Sequence, residues 1–337
     1  MKNLQLLGIA GMLALLPACK PQAGDQLIRF QGEAQGTYYA ITYVDGEGRI
    51  FQNEVDSILL AFDQVASLWV TNSLLSRINA NEPDMAPDPM IEDMVALSLR
   101  VSERTEGAFD ITVGPLVNAW GFGFKNQQMP DSSQVDSLLQ YVGYRKVWLE
   151  EGKVCKAAPE VVIDLNAIAQ GYSVDLLGTF LESKGIHDYL IDIGGEVLAS
   201  GKKPDGSLWK VGIERPSEHA DDPRELESIV IVSGKALATS GSYRKFYEKE
   251  GLKYSHTIDP KTGYPVSHRL LSASVMAESA AKADAYATAL MVMGPAKAQE
   301  FISSQKELEA FLIFTDESGV YHTWVSPGLA GLLAKDQ

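Results

Sequence analysis

Residues 171–195 read GYSVDLLGTFLESKGIHDYLIDIGG, and two different periods follow one another there. From Gly171 to Lys184, Leu176, Leu177, Phe180 and Leu181 recur at helical spacing, and Gly185 is placed to stop the helix. Tyr189 to Ile193 then reads as a buried strand closed by Gly194-Gly195. A helix handed directly to a strand excludes all-α and all-β architectures.

The flanking chain repeats both elements irregularly. Phe51 to Trp69 places Val55, Ile58, Leu59, Phe62, Val65, Ala66 and Trp69 on one helical face. Ile91 to Arg104 reads as a second helix ending near Gly107, and Ala-rich Ser279 to Met293 as another. Pro295 suits the first turn of a further short helix. Trp209–Ile213, Ser228–Val232, Ala310–Phe314 and Val320–Val325 are strand candidates, several of them hairpin-like. Pro83, Pro87 and Pro89 mark a loop. The pattern predicts α+β, with mixed sheets packed with helices, rather than a doubly wound parallel sheet.

The 337 residues carry 29 Lys+Arg and 44 Asp+Glu, a formal charge of 29 − 44 = −15. That balance argues against nucleic acid as a partner, because phosphates require clustered basic surface. Two cysteines exclude a disulfide scaffold and a Cys-rich zinc site. No G-x-G-x-x-G follows a strand, Ser207 stands where a P-loop needs Lys, and neither H-E-x-x-H nor G-x-S-x-G occurs.

The first 19 residues, MKNLQLLGIAGMLALLPAC, read as an address. Lys2 precedes an apolar run too short to span a bilayer, and Leu16-Pro17-Ala18-Cys19 resembles a bacterial lipobox. The expected organisation is a signal peptide at 1–18, a tether at 19–30 beginning with lipid-bearing Cys19, and one domain at 31–337. Localisation would be membrane-anchored on the periplasmic side.

Several segments are dense in Gly, Asp and Thr. Asp284 and Thr288 are four apart on a predicted helix and so share a face. A carboxylate and a hydroxyl aimed together offer oxygens to a hard cation such as Mg²⁺; the bland reading is a Thr bonded to its own helix. His256 carries an imidazole able to move protons near neutral pH. Asp164 ends an apolar run that reads as a strand, where ligand sites gather, or else simply caps a helix. Trp120-Gly121-Phe122-Gly123 fits a flat ligand and an aromatic core corner equally well.

Taken in order, the segments GAFDITVGPLVNAWGFG (107–123), IDLNAIAQGYSVD (163–175), YLIDIGGEV (189–197), TSGSYRKFY (239–247), SHTIDPKTGYPV (255–266) and ADAYATALMVMG (283–294) resemble the ApbE-like FAD:protein FMN transferase family. The resemblance runs from about Gln35 to Gly294. It implies a flavin cleft between two subdomains, FAD as substrate and Mg²⁺ as cofactor. It implies FMN transfer to a Thr or Ser of a target flavoprotein, with release of AMP. An FAD pyrophosphatase and a non-catalytic periplasmic FAD carrier are the competing readings.

Carried over residue by residue, the resemblance assigns the metal to Asp284, Thr288 and the Ala167 carbonyl, and catalysis to Asp284 and His256. Flavin contacts fall on Gln35, Trp69, Gly107, Ala108, Phe109, Asp164, Gln170 and Ile258. This chain departs from the family's usual pattern at Gln35 in place of Met, at Gln170 in place of a charged residue, and at Ala287 in place of a second Asp.

Overall fold

The computed structural model describes residues 25–122, 129–216, 225–241, 246–249, 252–255 and 257–334. The expected signal segment, Cys19 and His256 lie outside these residues.

The chain opens on a hairpin of β1 (Gln26–Ala34) and β2 (Thr37–Asp45), followed by α1 (Gln52–Ala66), α2 (Leu74–Asn79), α3 (Pro89–Arg104), α4 (Gly114–Ala119) and α5 (Ser132–Leu139). A short hairpin of β3 (Val147–Glu150) and β4 (Lys153–Lys156) leads to α6 (Asn166–Ser183). Then come β5 (Tyr189–Ile193), β6 (Glu196–Ser200), β7 (Trp209–Glu214), β8 (Leu226–Val232), β9 (Lys235–Gly241), β10 (Phe246–Lys249), β11 (Leu252–Ser255) and β12 (Leu270–Ala277). The end comprises α7 (Ala280–Met293), α8 (Pro295–Ser304), β13 (Glu309–Thr315), β14 (Tyr321–Val325) and α9 (Pro327–Ala330).

Eight strands form one sheet in the order β1-β2-β5-β6-β9-β12-β13-β14. The α+β class and the packing of sheets with helices are as expected. The pairing differs from the mixed one expected: every neighbouring pair in this sheet is antiparallel. Gln26 to Phe30, expected in the tether, already belong to β1 and pair with Ile41 to Asp45. The half-buried Ile28 and Phe30 pack on the main core, which draws this segment into the sheet.

The central strands are covered on both faces. On β12, Ala273, Val275 and Ala277 join the main core under α1, α3, α6 and α7. Met276 points the other way, into a second core with Trp209, Val230, Phe311 and Leu329. Period-two alternation thus sends neighbours to opposite apolar layers. A third, smaller core gathers Leu116, Trp120, Val135, Val142 and Ile258 beside the main body.

Candidate active site

Helices α6 and α7 meet through small residues and reciprocal capping. A Cβ at Gly171 would lie 2.6 Å from the Ala280 carbonyl carbon and 2.8 Å from the Ala281 nitrogen, so only glycine permits this approach. Asp175, one turn further along α6, accepts the Ala280 N–H at 2.8 Å and the Ala281 N–H at 2.9 Å. In the other direction, the Gly171 N–H donates to Asp284 Oδ2 at 3.2 Å. The two helices therefore pass antiparallel in register, Asp175 against Ala280 and Gly171 against Asp284. One more turn of that register carries Ala167 toward Thr288. In a regular helix the Gly171 N–H points at the Ala167 carbonyl, so the Asp284 carboxylate sits at that end of the first turn of α6.

Other elements close on the same place. Thr288 Oγ1 lies 3.3 Å from Ser240 Oγ on β9. Gln170 donates from Nε2 to the Ile193 carbonyl at 2.7 Å and to the Glu196 carboxylate. Gly194, at φ 62°, forms the β5–β6 turn directly against Gln170 and Thr37. The Ser173 hydroxyl donates to Gln35 Oε1 at 3.2 Å, while Gln35 Nε2 is buried with no hydrogen-bond partner among the described residues.

The neighbouring wall is built from the 107–116 and 257–264 segments. Asp164 does not end a strand; residues 161–165 have no regular structure. Asn79 replaces a ladder, donating to the Ile163 carbonyl at 2.8 Å and accepting its N–H at 2.8 Å. The Asp164 N–H donates to the Ile111 carbonyl at 2.7 Å, and Asp164 Oδ1 accepts from the Asn166 N–H at the start of α6. Gly107 faces the Tyr144 ring and the Lys261 side chain. Ala108 and Phe109 are buried, with Phe109 in the main core, so a ligand would meet Phe109 through its backbone. Ile258 is buried in the third core. Trp120 takes the core-corner role: it donates from Nε1 to the Gly263 carbonyl at 2.8 Å and packs against Tyr264. Trp69 follows α1 and is 68% exposed.

The electrostatics mark the α6–α7 crossing. Burial pushes the Asp284 carboxyl up to about 7, against the pull of the Gly171 N–H. Burial raises Glu196 too, with Asp284 and Asp192 adding repulsion. Burial raises Asp164, and it lifts Asp175 to about 6 despite two backbone N–H donors. Among the described residues no Lys or Arg pairs with Asp284 or Glu196.

An uncompensated buried carboxylate beside hydroxyl and carbonyl oxygens suits a hard divalent cation. Among the described residues no three His, Cys, Asp or Glu gather as a metal cluster. A cation here would rely on Asp284 together with Thr288 and the Ala167 carbonyl. A cavity of about 420 Å³ between residues 74–91 and 152–159 touches none of these groups.

Comparison with known proteins decides the relationship. The model of the ApbE family matches residues 35–312. The chain belongs to the ApbE family. It is 35% identical over 319 residues to the FAD:protein FMN transferase of Escherichia coli K12, covering 91% of this chain and 89% of the relative. The solved flavin transferase ApbE from Vibrio cholerae superposes with a TM-score of 0.81 at 32% identity, covering 91% of this chain and 99% of that one. The apo flavinyl transferase ApbE of Pseudomonas stutzeri gives 0.81 at 33% identity, covering 91% and 97%.

Within this ApbE-family chain, the structure adds residues that the sequence did not single out. Ser240 was visible only inside its segment, and no spacing links it to Thr288. Asp175, Glu196 and Asn79 act through partners far away in the chain, which no local pattern reveals.

Proposed function

We propose that this protein transfers FMN from FAD to a Thr or Ser hydroxyl of a protein acceptor, releasing AMP, with Mg²⁺ as the cation. One observation carries the reading: the Gly171 N–H bond to Asp284 Oδ2, which sets a carboxylate of α7 at the first turn of α6. Relatives at 35% identity named FAD:protein FMN transferase support it.

In this reading Asp284, Thr288 and the Ala167 carbonyl hold the cation. When bound, Mg²⁺ would offset the charge of the diphosphate and of the departing AMP. Gln35 Nε2, buried and without a partner among the described residues, has a donor to offer the flavin. Asp164, Gln170, Ile258, Trp69 and the backbone of Gly107 to Phe109 complete the FAD contacts. The acceptor oxygen bonds to the FMN phosphorus, and the anhydride P–O bond to AMP breaks. The hydroxyl proton passes to a base, His256 or a nearby carboxylate.

The test mixes the protein with FAD, Mg²⁺ and periplasmic redox-protein acceptors, followed by mass spectrometry. A covalent FMN adduct with stoichiometric AMP is the expected result. Free FMN and AMP with unmodified acceptors would replace transfer by hydrolysis. FAD bound without turnover would make the protein a carrier.

The lipobox-like Leu16 to Cys19 supports export and lipid anchoring on the periplasmic side. Cys19→Ser should release the protein from membranes, and continued membrane fractionation would remove this part of the reading.

A further inference from the structure

We propose that Asp175 is the positioning residue of the cation site, setting the register that brings Ala167 to Asp284 and Thr288. The inference rests on those three residues being the cation's donors.

The first four N–H groups of a helix have no partner inside it. In α7 the three that follow the N-cap Ser279 are accounted for, and Ala283 makes the first regular helical bond. Ala280 and Ala281 donate to Asp175, Lys282 donates to Ser279 Oγ at 3.3 Å, and Ala283 donates to the Ser279 carbonyl at 3.1 Å. The last two are local to α7. The first two come from α6 and tie one helix to the other at a defined step. Asp284 lies one turn beyond Ala280, and Ala167 lies two turns before Asp175. A shift at the Asp175 clamp would therefore be transmitted along both helices to the donor oxygens. The Gly171 contact with Ala280 leaves no slack to absorb it. Asp175 is kept from ligating by this spacing; besides the repulsion that its charge adds at Asp284, it acts through the helices.

Asp175→Asn keeps the shape and loses one acceptor, turning an amide donor toward a backbone N–H. Ser279→Ala removes the local cap of the same helix end and leaves the clamp intact. Both are made in the full chain. Mn²⁺ binding is read by loss of the free-ion EPR signal, with FAD present and acceptor withheld. Asp175→Asn should bind Mn²⁺ about tenfold more weakly, as loss of an outer support of a metal site typically does. Ser279→Ala should bind like the parent protein, even though it melts earlier. Equal Mn²⁺ affinity in Asp175→Asn and the parent would overturn the positioning role and leave the proposed cation site standing. Equal weakening in both variants would also overturn it, as general loosening of α7. A parent protein that binds no Mn²⁺ would overturn the cation site and this inference together. If Asp175→Asn does not fold, Asp175→Glu serves instead: its extra methylene should shift the register and weaken Mn²⁺ binding, and unchanged affinity would overturn the proposal.

Discussion

The Gly171 N–H donates to the Asp284 carboxylate across 113 residues of chain. This bond joins the two segments whose oxygens form the candidate cation site, and it depends on a glycine whose neighbour is the backbone of another helix.

Removing the carboxylate tests its part in turnover. Asp284→Ala should lower the rate of AMP release and FMN transfer roughly a hundredfold, about 3 kcal/mol of transition-state stabilisation. FAD affinity should change far less. Stopped assays of AMP, with equilibrium dialysis of FAD, separate the two. Full transferase rate for this variant in excess EDTA would rule out a metal mechanism.

Filling the helix crossing tests the packing. Gly171→Ala forces a methyl group onto the Ala280 carbonyl, and overpacking of this kind costs about 1–3 kcal/mol. Urea denaturation should show the loss, and Mn²⁺ affinity should fall with it. A stability equal to the parent's would mean that α6 and α7 separate freely.

Asn79 holds the irregular segment before α6 by two bonds at 2.8 Å to Ile163. Asn79→Ala leaves a buried N–H and a buried carbonyl unpaired, at about 1–3 kcal/mol each if water cannot reach them. Thermal unfolding should fall, and FAD should bind more weakly because Asp164 adjoins Ile163. Unchanged FAD affinity would separate Asp164 from the flavin.

The pH dependence of stability carries the signature of Asp175. Its folded pKa of about 6 lies above the ordinary 3.8, so the native state holds the proton more tightly. Its contribution is therefore full below pH about 4 and is lost as pH rises through about 6. The loss is on the order of 3 kcal/mol. Relative to Asp175→Asn, the parent protein should lose that much advantage between pH 4 and 7 in EDTA. Parallel stability curves for the two proteins would contradict it.

Much of the element order was legible in local sequence. Helix α7 matches the Ala-rich stretch that suggested it, and α3 follows its apolar spacing closely; α1 does so as far as Ala66 and stops short of Trp69, which is exposed. β5 ends at Ile193, where the Gly pair closes it. The first hairpin, the β3–β4 hairpin, β6, β9, α2, α4 and α5 were not read from the sequence, and three further places show why. β12 is buried on both faces, so its alternation is hidden in a nearly continuous apolar run. α6 begins at Asn166 rather than near Gly171, because its first turn, Asn166-Ala167-Ile168-Ala169, carries one large apolar side chain and two small ones, too few to show as an apolar stripe. Residues 161–165 looked like a strand but are fastened by Asn79 from α2, a partner 84 positions away.

By itself the sequence determined the α+β class, the family and the identity of Asp284 and Thr288 as a pair on one helical face, since each depends on local spacing or on ordered motifs. Only the tertiary structure decided what faces that pair. The meeting of Thr288 with Ser240, the nearness of Glu196 to Asp284, and the Asp175 clamp on α7 all come from packing. The physical reason is that hydrogen bonds and buried charges are settled by distances in space, and residues a hundred positions apart leave no periodic trace of their contact in the chain.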